Sequence, residues 1–256
     1  MAWLAGLGTR FAVFDQQDSG CVSYGVDPSD GRRLFVKAST TPSAVESLRR
    51  ALRLHAAVHH PAMVAPIAAH ELDDGQLVLV YPWRDGRLLR PTTASGSAVR
   101  TDPDGAMVAF RSLPVPRVQV ALDAILDAHE AVTRAGFVAV DLYDGCFLYD
   151  FDAHRMQLID LDEYRPGPFT VDADRLPGSS RYMAPEEWRR GATIDERTTV
   201  HGLGRTLRLL LDAGDEENAW RGNPTQLAVV HRATAAEPDD RFPTVAALRR
   251  AWREAG

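Results

Sequence analysis

The sequence predicts an α+β protein in which a small, mostly antiparallel β-sheet with one helix precedes a larger, mainly helical part. Apolar and polar residues alternate in the strand manner in the first third, and from Val118 onward apolar residues recur at helical spacing. The stretch between them is rich in Pro, Ser, Thr and Gly and has little periodicity. We therefore divide the chain into a β-rich region (1–83), a hinge and surface linker (84–117) and a helical region (118–256).

The β-rich region contains five candidate strands and one helix. The helix begins at Pro42–Ser43 and ends at His60–Pro61, because proline is favoured in a first helical turn and disfavours helix at the residue before it. The strands alternate around polar turns such as DQQDSG and DDG. In chain order the segments are RFAVFD, CVSYGV, RRLFVKAS, the helix PSAVESLRRALRLHAAV, AMVAPIAAHEL and QLVLVYPW.

Residues 90–117 are expected to loop over the surface, and residues 118 onward to form helices. The segment VQVALDAILDAHEAVTRAG has an apolar stripe and ends at a glycine, a common helix stop. Further helical segments are TVHGLGRTLRLLLDAG, LAVVHRATAA and FPTVAALRRAWREA.

One predicted β-hairpin interrupts the helical region and gathers acidic residues. The strand-like runs CFLY and MQLI flank a turn-like DFDAHR. An antiparallel hairpin brings its open ends together, so Asp141 and Asp144 should meet Asp160 and Asp162 there. Asp150 and Asp152 would lie at the turn, roughly 13 Å away, where aspartate is common. Carboxylates that converge at the open end would repel one another unless a cation or proton joins them.

Composition excludes several classes of function. The 256 residues carry a formal net charge of −6, which argues against a nucleic-acid partner. No apolar run approaches the ~20 residues of a membrane span, and the start lacks the features of a signal peptide. The two cysteines, Cys21 and Cys146, form no CxxC pair and fit a reducing compartment. We therefore expect a cytoplasmic protein without a membrane or nucleic-acid partner; the oligomeric state is not predicted.

An ordered set of motifs resembles the bacterial, eukaryotic-like (Hanks-type) serine/threonine protein kinases, as a divergent catalytic domain. The sharpest match is the Ala184-Pro185-Glu186 motif within GSSRYMAPEEW, the end of a kinase activation segment. Arg241 in DRFPTV matches the late arginine that pairs with that glutamate. LFVK and QLVLVYPWRDGRLL match the lysine strand and the hinge. The resemblance spans roughly residues 10–254 and implies a two-lobed fold.

The resemblance implies ATP and Mg²⁺ as cofactors and assigns roles by position. Residues 1–83 would be the nucleotide-binding lobe and residues 118–256 the catalytic lobe. Asp141 would accept the proton of an attacking hydroxyl, and Asp160 would hold Mg²⁺. Lys37 would neutralise nucleotide phosphates. The remaining cofactor contacts are a phosphate-covering turn with Gly20, Ser23 and Gly25, a gatekeeper at Val80, and hinge backbone groups at Tyr81 (C=O) and Trp83 (N–H).

Two residues depart from the kinase motifs where the second ligand of the expected Mg²⁺ would be. Cys146 stands where such kinases keep a metal-binding asparagine, and sulfur matches Mg²⁺ poorly. Asp162 replaces the usual glycine two residues after Asp160, so Asp162, or with less support Asp144, is a candidate substitute ligand. The alternative is that Asp162 is a solvated loop residue.

Other departures from the kinase motifs fall on residues that would position the groups of the site. Ala51 stands at the expected position of the lysine-pairing glutamate, and Glu46 lies ~140° away round the helix. Phe35 replaces an alanine that lies over adenine, and Thr199 replaces an aspartate that braces the catalytic loop. Val140 replaces the arginine that grips a phosphorylated loop, so loop phosphorylation should not be required.

Three functions therefore stay open. The first is an active serine/threonine kinase that phosphorylates a protein. The second is a kinase of small hydroxyl-bearing substrates, because IDLDEY is similar to the IDxE/D segments of aminoglycoside phosphotransferases. The third is a nucleotide-binding pseudokinase without turnover. An enzyme is favoured because the sequence keeps Lys37, Asp141 and Asp160. A protein acceptor is favoured by the APE segment.

Overall fold

A computed structural model of the protein describes residues 6–15, 19–91 and 98–256. The fold is α+β, with a five-stranded antiparallel sheet in the N-terminal part and a mainly helical C-terminal part, which confirms the predicted class at that level. The chain divides into a sheet unit, Met1–His59 with Val64–Asp85, and a helical unit, His60–Met63 with Gly86–Gly256. Among the residues described, no helix is long and apolar enough to cross a membrane.

The sheet unit consists of five antiparallel strands and one helix. The strands are β1 (Thr9–Phe14), β2 (Cys21–Asp27), β3 (Leu34–Ser39), β4 (Ala68–Glu71) and β5 (Leu77–Pro82), in the spatial order β1-β2-β3-β5-β4. Helix α1 (Pro42–Ala57) is capped at its N-terminus by Thr41, whose side chain accepts a hydrogen bond of 3.2 Å from the Ala44 N–H. The predicted DQQDSG turn lies partly outside the described residues.

The two faces of this sheet carry different side chains. One face forms an apolar core, with Leu7, Leu34 and Ala68 packed against a cluster of Tyr24, Val26, Val36, Val78 and Val80. Because successive strand residues point to opposite faces, Phe35 and Lys37 belong to the other face. Lys37 is buried there.

The helical unit is built from helices, short strands and 3₁₀ turns. Its longer helices are α4 (Val115–Arg134), α5 (Glu196–Leu211), α6 (Pro224–Ala233) and α7 (Val245–Ala255), preceded by the short α2 (Ala98–Thr101) and α3 (Ala106–Arg111). Its strands are β6 (Arg87–Leu88), β7 (Phe137–Val138), β8 (Phe147–Asp150), β9 (Arg155–Leu158), β10 (Arg165–Pro166), β11 (Phe169–Thr170) and β12 (Thr193–Ile194). β6 pairs with the β8–β9 hairpin, β10 with β7, and β11 with β12.

The stretch from 90 to 117, which we expected to be a surface loop, contains helical structure. It includes α2, α3 and the first residues of α4. Met107 and Phe110 are completely buried. The apolar pattern of AMVAF is too short to show a helical period, so tertiary burial decides its conformation. Residues 92–97 lie outside the described part.

A buried ion pair anchors the helical unit. Arg241 donates two hydrogen bonds to Glu186, from Nη1 to Oε1 at 2.7 Å and from Nη2 to Oε2 at 2.9 Å. Its guanidinium also donates to the backbone carbonyls of Ala235, Ala236 and Arg197. Thr198 Oγ1 donates to Glu186 at 2.8 Å. The Glu186–Arg241 pair expected from the sequence is confirmed, and every N–H of the guanidinium has an acceptor.

Arg241→Lys should destabilise the protein although it keeps the charge. A lysine ammonium cannot reproduce the planar fork that bonds both Glu186 oxygens and three carbonyls, so we expect a loss of about 2 kcal/mol or more. Urea unfolding followed by far-UV circular dichroism measures it. Arg253→Lys, at an exposed position on α7, is the matched control and should change stability by less than about 0.5 kcal/mol. Equal midpoints for the two variants would contradict the prediction.

Candidate functional site

The predicted hairpin is present and has the expected turn. β8 and β9 pair from Phe147 opposite Leu158 to Asp150 opposite Arg155. Asp150 Oδ1 accepts the N–H groups of Asp152 and Ala153, at 3.0 and 2.9 Å. These bonds confirm that Asp150 is a turn residue. The side chain of Asp152 is exposed at the same turn.

At the open end of the hairpin, Cys146 brings together the two segments that carry the predicted chemistry. The Cys146 thiol lies 3.4 Å from the Asp141 carbonyl oxygen and 3.9 Å from the Asp160 carbonyl oxygen, with geometry for S–H donation. The Ile159 N–H donates to the Cys146 carbonyl at 3.0 Å and extends the strand pairing to this point. Asp141 and Asp160 are therefore held beside one buried side chain.

Both of these aspartates adopt an unusual backbone conformation. Asp141 has φ 60° and Asp160 has φ 58°, in the left-handed region. Non-glycine residues reach this region at a cost, aspartate less than most, and such residues concentrate at functional sites. The side chain of Asp160 is exposed and that of Asp141 is partly exposed. Both carboxylates are thus presented from a constrained backbone.

The thiol of Cys146 acts as a neutral donor in this arrangement. Burial raises the pKa of the thiol well above its usual range, and the negative charges of Asp160 and Asp141 raise it further. A thiolate is the form that binds metals, so a thiol that keeps its proton and donates to two carbonyls is not a magnesium ligand. Cys146 positions the loops here instead.

The other two acidic residues at the open end differ from each other. Asp144 is completely buried, and its Oδ2 accepts a hydrogen bond of 2.5 Å from Arg100 Nε. That ion pair with α2 takes up one Asp144 oxygen. Asp162 is also buried, which contradicts the alternative that it is a solvated loop residue. Its role as a substitute metal ligand stays a prediction.

Tyr143 stands where the kinases that this chain resembles have a lysine in the same loop, and its ring packs against an arginine. Its ring lies under the Arg90 guanidinium, with 5.8 Å from the guanidinium carbon to the ring centroid. A Cβ at Gly145 would come within 2.4 Å of the ring, so a larger residue there would require the Tyr143 ring to shift. Burial raises the pKa of the Tyr143 hydroxyl, and the nearby Cys146, Asp160 and Asp141 raise it further. The loop therefore carries a neutral aromatic side chain.

Thr199 on α5 supplies a neutral brace for the loop that carries Asp141. Its Oγ1 accepts the Ala139 N–H at 3.0 Å, and the Thr199 side chain is almost completely buried. In the kinases that this chain resembles, an aspartate at this position braces the loop. Here the Thr199 hydroxyl oxygen accepts the bracing hydrogen bond. Without it, the Ala139 amide would be buried and unpaired.

In the sheet unit, the three residues that were predicted to form a phosphate-covering turn do not lie together in one turn. Ser23 and Gly25 lie inside β2, opposite Lys37 and Phe35 of β3, and not in a turn. A Cβ on Gly25 would come within 2.6 Å of the Phe11 ring. Gly20 alone of the three precedes the strand, with φ 67° and its carbonyl bonded to the Thr40 N–H at 2.8 Å. Strand pairing on both sides of β2 accounts for this placement.

Two residues that were predicted to contact the nucleotide near the hinge, Val80 and Trp83, are engaged in the sheet instead. The Trp83 N–H donates to the Arg33 carbonyl at 2.9 Å, so this amide is already used in the pairing of β3 with β5. Val80 belongs to the apolar core cluster, whereas Tyr81 stands opposite Phe35 on the Lys37 face. These placements do not agree with Val80 as gatekeeper or with Trp83 as the adenine donor.

The position expected for a lysine-pairing glutamate is apolar, as the sequence indicates. Ala51 is completely buried in α1. The Glu46 carboxylate accepts a hydrogen bond of 2.8 Å from Arg49 on a half-exposed part of the helix. Neither residue takes the expected place of that glutamate.

Two residues near the site were missed by reasoning on the sequence. Arg100, the partner of Asp144, follows a stretch without periodicity, so no local signal marks it. Glu187 is buried and shares a small cavity with Asp141. The doubled glutamate of the APEEW segment could have marked it, because a second charged residue beside a buried one is unusual.

Comparisons with known proteins do not assign this chain to a family. No model of a known protein family matches it, and a search of curated proteins finds no match. Within the part of the chain that the structure describes, no group of three or more His, Cys, Asp or Glu side chains is arranged to hold a metal ion. Magnesium at a nucleotide is usually held by one or two carboxylates with phosphate oxygens and water, which the exposed Asp160 carboxylate fits chemically.

Thr199→Val should loosen the loop that carries Asp141. Valine has nearly the shape of threonine but cannot accept the Ala139 N–H, so a buried donor is left unpaired at a cost of about 1–3 kcal/mol. The free energy of unfolding should fall, and the Ala139 amide should exchange its hydrogen faster. Thr206→Val is the matched control on the same helix, because the Thr206 hydroxyl donates to the Gly202 carbonyl of that helix and does not brace the loop. If Ala139 exchange is unchanged, Thr199 is not the brace.

Proposed function

We propose that this chain is an ATP-dependent phosphotransferase of the serine/threonine protein-kinase type. The observation that carries the proposal is the meeting of Asp141 and Asp160 at the buried Cys146 thiol, 3.4 and 3.9 Å from their carbonyl oxygens. A base for a hydroxyl and a carboxylate for a metal are the two groups that phosphoryl transfer needs at one place. Neither family models nor curated relatives contribute to the proposal.

Within this proposal each residue has one task. The Asp141 carboxylate accepts the proton of the attacking hydroxyl. Asp160 holds Mg²⁺, with Asp162 as a candidate second ligand, and when bound this cation offsets the negative charge of the nucleotide phosphates. The buried ammonium of Lys37 in the sheet unit neutralises further phosphate charge. Cys146 and Thr199 position the loops and take no part in the chemistry.

The contacts to the nucleotide base are proposed one residue later than first expected. The Trp83 N–H is bonded to the Arg33 carbonyl, and hydrogen-bonded pairs alternate with non-hydrogen-bonded pairs in an antiparallel ladder. The adjacent pair of Pro82 and Leu34 is therefore non-hydrogen-bonded. The Pro82 carbonyl therefore points away from β3. We assign the acceptor to Pro82 and the donor to the Arg84 N–H, which keeps the original spacing. Tyr81 then replaces Val80 as gatekeeper, on the face that bears Lys37.

The acceptor is proposed to be a protein hydroxyl. The buried Glu186–Arg241 pair fixes the segment that, in the kinases this chain resembles, shapes the platform for peptide docking. A small-molecule phosphotransferase and a pseudokinase remain the competing outcomes of the tests below. The first would use the same base with another acceptor, and the second would bind nucleotide without transfer.

Asp160→Ala should remove the contribution of magnesium to nucleotide binding. A ligand that binds the native state raises its melting temperature, so ATP with Mg²⁺ at about 100 times Kd should raise the Tm of the wild type by about 5 °C or more. ATP with Mg²⁺ should exceed ATP alone in the wild type but not in Asp160→Ala. Asp152→Ala, at the exposed turn of the same hairpin, should behave like the wild type. A magnesium increment that survives in Asp160→Ala would count against the assigned ligand.

Asp141→Asn should abolish phosphoryl transfer and spare nucleotide binding. Losing a general base typically slows a reaction about 10²–10⁴-fold. Transfer of radiolabelled phosphate to a casein-like protein and to a panel of small hydroxyl compounds measures the rate and identifies the acceptor class. Asp152→Asn is the matched control and should transfer at the wild-type rate. Equal turnover by Asp141→Asn refutes the role, and nucleotide binding without any transfer by the wild type favours the pseudokinase.

A further inference from the structure

A small cavity in the helical unit joins the predicted base to a second carboxyl group. Its volume of about 10 Å³ is enough for about one water molecule. Asp141 lines it from the catalytic loop and Glu187 from the 3₁₀ turn Pro185–Trp188. The other polar side chains in its lining are those of Ser179, Tyr182, Thr198 and Thr199.

The Glu187 carboxyl group is tightly held at this place. Glu187 is only 5% exposed. Its Oε2 accepts the Ala184 N–H at 2.6 Å, and its backbone carbonyl accepts the Leu176 N–H at 2.9 Å. With Oε2 acting as an acceptor, Oε1 is the oxygen that would carry a proton. The side chain is thus fixed by its own turn beside Asp141.

Two carboxyl groups that line one small cavity do not both ionise readily. We propose that Glu187 is a positioning residue for Asp141: its protonated carboxyl group faces Asp141 across the cavity and keeps the Asp141 carboxylate ionised and oriented. This inference rests on the proposed function, because it concerns the state of the proposed base. Nothing in the motifs of the resemblance assigns a role to the residue after the APE glutamate.

The charges around Glu187 agree with this assignment. Burial raises the pKa of Glu187 to about 8, and the negative charges of Glu186 and Asp141 add to the shift. The Ala184 N–H and the positive charge of Arg241 act in the opposite direction. Tyr182 also faces the cavity, and burial raises the pKa of its hydroxyl well above the usual range, so it stays neutral. Glu187 is therefore the group that changes charge when the pH rises through about 8.

A kinetic experiment tests the role through its pH dependence. When Glu187 ionises, it loses its donor proton and adds a negative charge beside Asp141. The transfer rate of the wild type should therefore fall about tenfold between about pH 7 and about pH 9. Glu187→Gln resembles the protonated form at every pH, so this fall should disappear. Glu130→Gln, a half-buried glutamate bonded to Arg249, should keep the wild-type profile and controls for effects of pH on the substrates.

A carboxyl-carbon NMR titration of the full chain tests the coupling without relying on activity. Glu187 should titrate near pH 8 in the wild type and at a lower pH in Asp141→Asn, where the neighbouring charge is gone. A Glu187 that titrates at the ordinary glutamate value, or that is unchanged by Asp141→Asn, overturns the inference. A Glu187→Gln variant that keeps the alkaline fall also overturns it and leaves the proposed function intact. If the wild type transfers no phosphate, the proposed function is wrong. The NMR titration then tests by itself whether the ionisation of Glu187 depends on the charge of Asp141.

Discussion

The bidentate pair of Glu186 and Arg241 is the interaction on which the helical unit depends. Two hydrogen bonds of 2.7 and 2.9 Å join a carboxylate and a guanidinium that are both buried. Although burial disfavours the charged carboxylate, the bonds from Arg241 lower the pKa of Glu186, so the pair stays ionised. Arg241 also donates hydrogen bonds to the Ala235 carbonyl, just after α6, and to the Arg197 carbonyl in α5, which ties three segments to one point. Removing either partner would strand the other charge in the interior.

Neutral groups surround the proposed base at positions where the kinases that this chain resembles have charged or amide groups. Thr199 braces the loop through a hydroxyl, Cys146 through a thiol, and Tyr143 packs where a lysine would stand. Each keeps a hydrogen bond or a packing contact while removing a formal charge or a strong ligand. The neutral Glu187 that we propose continues the same pattern. Because Glu187 and Asp141 line the same cavity, the protonation of Glu187 should matter for the proposed catalysis.

Local patterns predicted the hairpin and its turn, because both depend on short apolar runs and on turn chemistry near Asp150. The Glu186–Arg241 pair was implied only by the resemblance to kinase motifs. The faces of the sheet were not predictable in the same way. Whether Val80 or Tyr81 shares a face with Lys37 depends on the register of β5 against β3, and a shift of one residue reverses it. The burial of Phe110 and the pairing of Arg100 with Asp144 depend on contacts distant in sequence. The state of Glu187 depends on burial, which a doubled glutamate alone does not reveal.

The segment between Asp162 and α5 is ordered by contacts that the chain itself supplies. β11 pairs with β12, and Arg181 Nη1 donates to Asp215 at 2.7 Å while its carbonyl accepts from Arg205. Val140, which stands where a phosphate-gripping arginine would be, is buried in an apolar cluster with Val171 and Met183. The apolar side chain of Val140 cannot bind a phosphate group, and its contacts in the cluster form without a phosphate group. Under the proposed function, the order of this segment therefore comes from packing and internal ion pairs, and a phosphate has no anchoring role left to fill.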